Sequence, residues 1–374
     1  MYQFIGIKKM MRIVRKLLKL SSVLVLSGTF LMGMALFGAD FSGKTIEWII
    51  PFKEGGGSDK WSRFYAPLLS EALPGKPVVV VKNMPGAGST KGANYFQNRA
   101  KPDGLTILGT SGSTQFPYLL GDKRVKYRYQ DWNIVLASGT GGVFYVSSSL
   151  GVKDIAELAK LKDVKLLYGS QGATSLDLVP LLAFELLGLK VEAIFGMKGR
   201  NDGLLAFQRG EVNLDYQTTS AYLSKSVPLV EEGSAIPLMS WGALDEDGNL
   251  VRDPNFPYLP TPAEAYETIH GKKPSGRAWR AWMSFFSAGF PAQKMVFLPK
   301  KTPKDIINAY SEAFASVVNA ADFKERSQKV LGNYPQTTGV AAKEPYKVAT
   351  TLAGSSRKWV INWLKEKYNT SLVK

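Results

Sequence analysis

TIEWIIPFKEGGGSDKWSRFYAPLLSEAL (residues 45–73) is the stretch of sequence that decides the fold. Its first eight residues form an apolar, β-branched run that predicts a buried strand, and a cluster of three glycines ends that run. Ser58 and Asp59 predict the start of a helix whose apolar residues recur at helical spacing, and a Pro-Gly pair follows its last turn. The stretch therefore predicts a strand, a glycine loop and a helix in succession.

The same succession recurs along the chain. Further short apolar runs predict strands at 77–83, 105–110, 164–170, 191–196 and 212–217. Patterns typical of helices separate several of these runs. Short strands separated by helices imply crossover connections, and therefore an α/β fold with mainly parallel sheets.

Composition and patterning also predict how the chain is divided. We expect a first lobe at 40–145, a second lobe at 146–267 and a return to the first lobe at 268–374, with the crossing between lobes in the strand-rich stretch 133–149. Residues 244–279 are rich in Pro, Gly and charge, which indicates irregular surface chain. AWMSFFSAGF (281–290) then predicts a strand that leads back, and helices follow it.

The N-terminus has the pattern of an export signal. Residues 1–19 are basic, an apolar run extends from Leu20 to Leu36, and small residues follow at Gly38 and Ala39. A basic region, an apolar region and a small-residue exit are typical of a secretory signal peptide. We expect residues 1–39 to be a cleaved signal peptide that directs the protein to the periplasm; the alternative is an uncleaved anchor helix.

The net charge favours anionic partners. The formal charge is +16, and removing the six cations of residues 1–39 leaves +10 for the remainder. A positive field raises the local concentration of anions in a cleft, although general solubility would explain the same surplus. The chain contains no cysteine, which excludes disulfide bonds, a cysteine nucleophile and thiolate metal sites.

Three glycine loops carry the functional prediction. Each follows a predicted strand and opens a predicted helix, at 51–59, 83–89 and 169–175. Unpaired N–H groups at a helix start bind anions, because they lack partners within the helix and the helix dipole adds positive potential. A tight turn with a helix cap is the alternative for any single loop. Loops of this kind in both lobes favour a shared cleft for an anion at the carboxyl ends of the strands.

Nucleotide binding and catalysis receive little support. The phosphate-binding loop of NTPases is absent, and Gly86-x-Gly88-x-x-x-Gly92 has one residue too many for the dinucleotide fingerprint. The single histidine, His270, lies in a Pro/Lys/Gly-rich stretch and is interpreted as a solvated loop residue. Carboxylates such as Asp59, Asp177 and Asp215 leave a secreted hydrolase open as an alternative, but their spacing marks no acid–base pair.

At this point the motifs resemble a known family. PFKEGGGSDKWSR (51–63), VVVVKNMPGAGSTKGA (78–93) and KPDGLTILGT (101–110) are similar to motifs of the solute-binding subunits of tripartite tricarboxylate transporters, also called Bordetella uptake proteins. YGSQGATS (168–175), RGEVN (209–213), FPYLPTPAEA (256–265) and KKTPKDIINAYSEAF (300–314) extend the resemblance in the same order. Each motif is weak alone, but the ordered set is specific.

The resemblance implies a class II periplasmic binding fold, with two α/β lobes joined by two crossovers around a ligand cleft. It implies a receptor, not an enzyme, that captures a small organic anion such as a di- or tricarboxylate and passes it to membrane transporter subunits. No cofactor, metal or nucleic acid is expected, and the protein is expected to be a monomer. The ligand-binding residues carried onto this sequence are Phe52, Gly55, Gly56, Gly57, Ser58, Asp59, Thr110, Ser111, Ser170, Gln171, Gly172, Ala173, Thr174 and Ser175.

The sequence also departs from the family pattern. Lys53-Glu54 replace small residues before the glycines, Lys82 stands where Glu is common, and Asn213 replaces an Asp. These basic and polar changes leave the identity of the ligand open and are consistent with a more anionic one. A receptor that signals through a membrane partner is the alternative to a transport receptor.

Overall fold

The computed structural model describes residues 38–161, 163–370 and 372. The expected signal peptide lies outside the described residues, except for its last two positions. The strands are β1 (Thr45–Ile50), β2 (Val78–Asn83), β3 (Thr106–Thr110), β4 (Asn133–Ser138), β5 (Gly142–Ser147), β6 (Leu166–Ser170), β7 (Val191–Phe195), β8 (Leu214–Thr218), β9 (Ala235–Ser240), β10 (Ala243–Leu244), β11 (Leu250–Val251), β12 (Lys294–Leu298) and β13 (Gln336–Thr338).

Helices separate most of these strands. They are α1 (Gly57–Ala72), α2 (Thr90–Arg99), α3 (Gly112–Leu120), α4 (Leu178–Leu186), α5 (Arg200–Gln208), α6 (Thr219–Ala221), α7 (Val227–Glu231), α8 (Pro262–His270), α9 (Gly276–Gly289), α10 (Lys304–Val318), α11 (Phe323–Leu331), α12 (Lys343–Ala349) and α13 (Gly354–Tyr368). Short 3-10 turns cover Ala87–Ser89, Tyr129–Asp131, Ser148–Leu150 and Ile155–Leu161, and a π-helical turn covers Tyr222–Ser226. None of the described helices combines the length and apolar composition that crossing a membrane requires.

Two larger sheets confirm the predicted two-lobed α/β architecture. The six-stranded sheet has the order β13-β4-β12-β3-β1-β2 and, with its helices, is called the first lobe below. The five-stranded sheet has the order β7-β6-β8-β5-β9 and forms the second lobe. The chain crosses from β4 to β5 through three residues, 139–141, and returns between β9 and β12. A class II periplasmic binding fold has two such crossings between its lobes.

The sheets are mixed, whereas the sequence predicted mainly parallel ones. Strand β1 pairs in parallel with β2 and β3, but β12 runs antiparallel to both β3 and β4. In the second lobe β6 is parallel to β7 and β8, while β5 is antiparallel to β8 and β9. The strands that follow the two crossings between lobes, β5 and β12, each pair antiparallel with both of their neighbours.

The predicted return strand at 281–290 is wrong. Those residues belong to helix α9, in which Trp282, Phe285, Phe286 and Gly289 are buried at helical spacing. The abundance of aromatic residues favours strands in isolation, but the i, i+3, i+4, i+7 repeat decides the structure here. His270 likewise ends helix α8 instead of lying in a loop, and a capping box between Thr261 and Glu264 starts that helix.

The main core lies on one face of the second sheet and includes residues of helices that are distant in sequence. Buried Phe144 and Tyr168 of that sheet share one cluster with Leu182 of α4, Trp282 of α9 and Leu364 of α13. Separate clusters fill the space between the first sheet and α2, and between the opposite face of the second sheet and α5. Because α9 and α13 pack into a second-lobe core, the division into 40–145, 146–267 and 268–374 stays a prediction.

Candidate ligand-binding cleft

A small cavity lies where strand ends from both lobes meet. Its walls are formed by Phe52, Lys53, Gly56, Gly57, Ser58, Ser111, Ser113, Gln171, Leu176, Gly199, Arg200, Thr218 and Gln293. The cavity is small, at about 30 Å³. Six of the fourteen residues predicted for the ligand site line it: Phe52, Gly56, Gly57, Ser58, Ser111 and Gln171.

The first-lobe wall is built around the start of helix α1. Gly56 stands at the N-cap in extended conformation, and no side chain among the described residues caps the helix through a hydrogen bond. The N–H groups of the first turn therefore lie at the cavity without a side-chain acceptor. Ser58, which is buried at the same wall, adds a hydroxyl. Unpaired amides and the positive end of the helix dipole make this wall suited to an anion.

Asp59 holds the glycine loop in place and does not line the cavity. Its carboxylate accepts hydrogen bonds from the amide of Gly55 at 2.8 Å, from Arg63 Nε at 2.9 Å and from Asn83 Nδ2 at 3.0 Å. Gly55 has a φ of +78°, which glycine adopts without strain. The two predicted site residues Gly55 and Asp59 thus fix the shape of the loop behind the cavity wall.

Gly57 brings the two lobes into direct contact. A Cβ atom at this position would overlap the hydroxyl oxygen of Thr218, which ends strand β8 of the second lobe. The Cβ atom of Thr218 would lie 3.7 Å away and Ser220 Oγ 3.8 Å away. Only glycine permits the lobes to approach this closely at the start of α1.

The second-lobe loop 170–175 is pinned from within. Asp177 Oδ2 accepts hydrogen bonds from Ser170 Oγ at 2.9 Å and from the amide of Gln171 at 2.6 Å. The amide of Gly172 donates to Ser170 Oγ, and Ser175 Oγ donates to the carbonyl of Gly172. The carboxylate of Asp177 therefore takes a backbone amide that the sequence analysis had assigned to the ligand. The second lobe presents the Gln171 side chain to the cavity instead.

Arg200 is a cavity residue that the sequence analysis missed. Its guanidinium donates to the carbonyl of Gly169 at 2.7 Å, to the carbonyl of Tyr216, and to the carboxylates of Asp177 and Asp215. These acceptors come from β6, from β8 and from the start of α4, so Arg200 ties the strand ends of the second lobe together. Burial raises the pKa of the Asp215 carboxyl, although Arg200 favours its charged form. The glycines before α5 were the available sequence signal.

Thr174 joins the lobes beside the cavity instead of facing it. Its hydroxyl donates to Asp122 Oδ2 at 3.0 Å and accepts from Arg124 Nη2 at 2.9 Å. Burial alone would raise the pKa of the Asp122 carboxyl, but hydrogen bonds from Arg124 hold it below its usual value. Asp122 and Arg124 of the first lobe are thus hydrogen-bonded to the predicted ligand-binding loop of the second lobe.

Two further contacts join the lobes at the cavity wall. Lys53 Nζ lies 3.2 Å from Asp202 Oδ1, which pairs the first-lobe loop with the first turn of α5. Ser113 Oγ donates to Gln171 Oε1 at 3.2 Å and accepts from the amide of Leu176 at 3.0 Å. The described structure is therefore a closed form held by direct contacts between the lobes.

The other predicted site residues make hydrogen bonds, cap a helix or pack in the core. Thr110 Oγ1 is hydrogen-bonded to Tyr129 OH at 2.6 Å inside the first lobe. Ser111 caps α3 by accepting from the amide of Ser113, and it also lines the cavity. Ala173 belongs to the main core cluster. Eight predicted residues thus shape or brace the cleft without lining it, and Lys53, Ser113, Leu176, Gly199, Arg200, Thr218 and Gln293 line it without having been predicted.

The geometry indicates binding and gives no support to acid–base catalysis. The carboxylates of Asp59, Asp177 and Asp215 are each engaged by hydrogen bonds within the protein, and none lines the cavity. His270 packs against Tyr266 in α8, in a helix that contributes nothing to the cavity wall. What remains at the cavity is a set of amide and hydroxyl groups around a helix start, beside the paired cations Lys53 and Arg200.

Comparison with known sequences identifies the family. The family described as "Tripartite tricarboxylate transporter family receptor" matches residues 63–334, more than two thirds of the chain. The chain belongs to this family. The receptor is also 25% identical over 315 residues to the "UPF0065 protein in tcbD-tcbE intergenic region" of Pseudomonas sp. (strain P51), covering 79% of this chain and 81% of that protein.

Solved structures share the fold of the receptor. An adipate-bound protein from R. palustris, Rpa4515, matches with a TM-score of 0.66 and 21% identity over 86% of this chain and 98% of its own. The periplasmic binding protein BugD matches with a TM-score of 0.64 and 20% identity over 87% and 98%. MatC from Rhodopseudomonas palustris, described with bound malate, matches with a TM-score of 0.60 and 19% identity over 86% and 98%.

Proposed function

We propose that this receptor binds a small organic carboxylate in the cleft between its lobes, in the periplasm, and delivers it to the membrane subunits of a tripartite tricarboxylate transporter. The observation that carries the proposal is the uncapped start of α1, where Gly56, Gly57 and Ser58 face a cavity shared with Gln171 of the second lobe. Family membership supports the transport role, and the malate and adipate described for two structural neighbours support the ligand class.

The binding mechanism is closure of the lobes around the ligand. One carboxylate of the ligand accepts hydrogen bonds from the amides at the start of α1, and Ser58 and Ser111 add hydroxyls. The side chain of Gln171 contributes from the second lobe. A ligand favours the closed form only through contacts that both lobes make to it, so residues of both walls contribute to affinity. Because the closed cavity is small, the lobes must separate before a dicarboxylate can enter.

Isothermal titration calorimetry tests the ligand class. We expect micromolar or tighter binding of at least one dicarboxylate of four to six carbons, with an increase in melting temperature at saturating ligand. Glycerol and a neutral diamide of the same length serve as uncharged controls. Absence of heat from every acid of the panel, with the protein folded, would contradict the proposal.

The transport role needs a separate experiment. We expect spheroplasts from a strain that lacks the receptor gene to regain uptake of the radiolabelled ligand when purified receptor is added. If the receptor binds its ligand but its deletion leaves uptake unchanged, the transport role fails and a sensory role takes its place. Light scattering of the purified receptor tests the proposed monomer, and mass spectrometry of the exported chain tests cleavage within residues 33–40.

A further inference from the structure

The positive charge of the chain is concentrated on one pair of helices. Residues 271–280, which lead into α9 and begin it, contain four cations and no acid, and α13 contains four cations and one acid. These two stretches carry +7 of the +10 that the chain has beyond residue 39. A surplus that served solubility alone would be spread over the surface, so this concentration indicates an anionic partner.

The two helices lie side by side, and a groove separates their exposed faces. Ser284 Oγ of α9 is 2.9 Å from Ser356 Oγ of α13, and buried residues of both helices share the main core cluster. The groove measures about 340 Å³. Its lining, which contains no aspartate or glutamate, includes Arg277, Arg280, Lys358 and Trp359.

The three cations of this groove have no acidic partner. Arg277, Arg280 and Lys358 are exposed, and none of their side chains forms an ion pair or a hydrogen bond with another residue that the structure describes. In contrast, Arg357 of α13 donates to the carbonyls that end α3. Like charges around one groove repel one another, so an anion bound between them would relieve this repulsion.

Tryptophan exposure marks the same pair of helices. Six of the eight tryptophans have exposed fractions of 7% or less, whereas Trp279 of α9 and Trp359 of α13 are half-buried. Trp359 lines the groove, and Trp279 lines a second pocket together with Lys273. Tryptophan is enriched where a membrane meets water, because its ring is apolar and its indole N–H seeks a polar partner. Cations beside half-buried indoles therefore fit a layer of lipid headgroups.

This surface lacks the apolar centre that a protein partner would need. The buried core of a protein–protein interface is apolar and depleted of charged residues. Within the part of the chain that the structure describes, the large apolar side chains that are exposed lie on other elements, and neither α9 nor α13 contributes one. Charge, and not apolar contact, thus defines the partner.

We propose that the groove between α9 and α13 binds the anionic phospholipid headgroups of a membrane, with Arg277, Arg280 and Lys358 as the residues that contact the phosphates. Arginine and lysine donors match the charge and the acceptor oxygens of a phosphodiester. Because these helices expose no apolar face, the receptor lies on the membrane surface and does not insert. Binding here would raise the effective concentration of the receptor beside the membrane subunits. It needs no bound carboxylate, so it can fail while the proposed function stands.

Vesicle binding tests the proposal on the unaltered receptor. Vesicles with equal amounts of phosphatidylglycerol and phosphatidylcholine should sediment with the receptor at low ionic strength, and vesicles of phosphatidylcholine alone should not. Binding should fall about tenfold or more in about 0.5 M salt, because ions screen exposed charges. Absence of binding to the anionic vesicles would overturn the proposal. Binding of a hexaglutamate peptide but not of vesicles would assign the groove to an acidic protein segment and would overturn it as well.

A triple variant locates the contact. Arg277→Gln, Arg280→Gln and Lys358→Gln together should weaken binding to the anionic vesicles about a hundredfold, at about fivefold per cation. The three side chains are exposed and unpaired, so the melting temperature and the affinity for a dicarboxylate should not change. If the triple variant does not fold, Lys358→Gln alone replaces it, with an expected loss of about fivefold.

The control variant removes the same charge elsewhere. Lys301→Gln, Lys304→Gln and Lys324→Gln together change three exposed lysines outside the groove. Their loss should weaken vesicle binding less than about fivefold, because the field of a charge far from the membrane is screened. Equal losses in the two triple variants would mean that net charge alone governs binding, and would overturn the assignment to the groove.

Discussion

Gly57 of the first lobe approaches Thr218 of the second so closely that a single added carbon atom would overlap the threonine hydroxyl. Both residues line the cavity of the proposed carboxylate site. We therefore expect Gly57→Val to prevent full closure and to weaken ligand binding at least tenfold, because a branched side chain cannot be accommodated by rotation of Thr218 alone. Calorimetry with the tightest ligand measures the effect.

Gly354→Val is the control for this substitution. Gly354 is also the first residue of a helix, α13, and a Cβ atom there would meet nothing within 4 Å. Its valine variant should bind as the unaltered protein does. Equal affinity in the Gly57 variant would show that the closed form does not need this approach.

The second prediction concerns the contribution of the Lys53–Asp202 ion pair to ligand affinity. Both side chains are partly exposed, at 43% and 20%, so the pair contributes at most about 1 kcal/mol to closure. Lys53→Met should weaken ligand binding up to about fivefold at low ionic strength, and the difference should shrink in about 1 M salt. The control is Lys82→Met, because Lys82 is as exposed as Lys53 and pairs with Glu47 inside the first lobe. A loss that is the same at both salt concentrations would contradict a screened ion pair.

The buried Arg200 network predicts a large effect on stability. Replacement by methionine leaves the carboxylates of Asp177 and Asp215 without their cation, and such losses cost about 3–5 kcal/mol. Urea unfolding of Arg200→Met should show a decrease of that size. Arg209→Met removes a solvent-exposed pair with Glu211 at the surface and should leave the free energy of unfolding unchanged within the error of the measurement. Similar values for the two variants would mean that the network adds nothing to stability.

Lys294 predicts how stability depends on pH. Burial lowers the pKa of this lysine from 10.5 to about 7. Between those values the unfolded chain carries a proton that the folded protein does not, so this residue makes the free energy of unfolding rise with pH, by at most about 1.4 kcal/mol per unit. Below the lower value both states are protonated, and the cost of the buried charge is at its largest.

Lys294→Met should therefore raise the free energy of unfolding at pH 6 and flatten its increase between pH 7 and pH 9. Urea titrations at pH 6, 7, 8 and 9 measure both effects, and the exposed Lys304→Met is the control. Parallel curves for Lys294→Met and the unaltered protein would refute the assignment.

Local patterns predicted the parts of the cleft that depend on neighbouring residues. The strand, the glycine loop and the helix at residues 45–73 follow from hydrophobic periodicity and from the glycines, and they place Gly56, Gly57 and Ser58 at the cavity. The crossing between β4 and β5 was also visible, because two β-branched runs flank a glycine-rich link.

Contacts between distant residues could not be predicted in the same way. Nothing in the sequence around Gln171 shows that its amide is taken by Asp177, or that Arg200 reaches Asp215 on a neighbouring strand. Gln293 precedes β12, a strand of the first sheet that follows all strands of the second sheet along the chain. These residues meet because of sheet order, and one sequence does not encode sheet order in any local pattern.

The small size of the closed cavity has a kinetic consequence. Because a dicarboxylate enters only after the lobes part, the observed rate of association should stop rising at high ligand concentration and level off at the rate of opening. Substitutions at Lys53 or Thr174, which loosen contacts between the lobes, should raise that plateau. At high ligand concentration the rate of ligand association is then limited by the separation of the lobes and not by diffusion of the ligand to the protein.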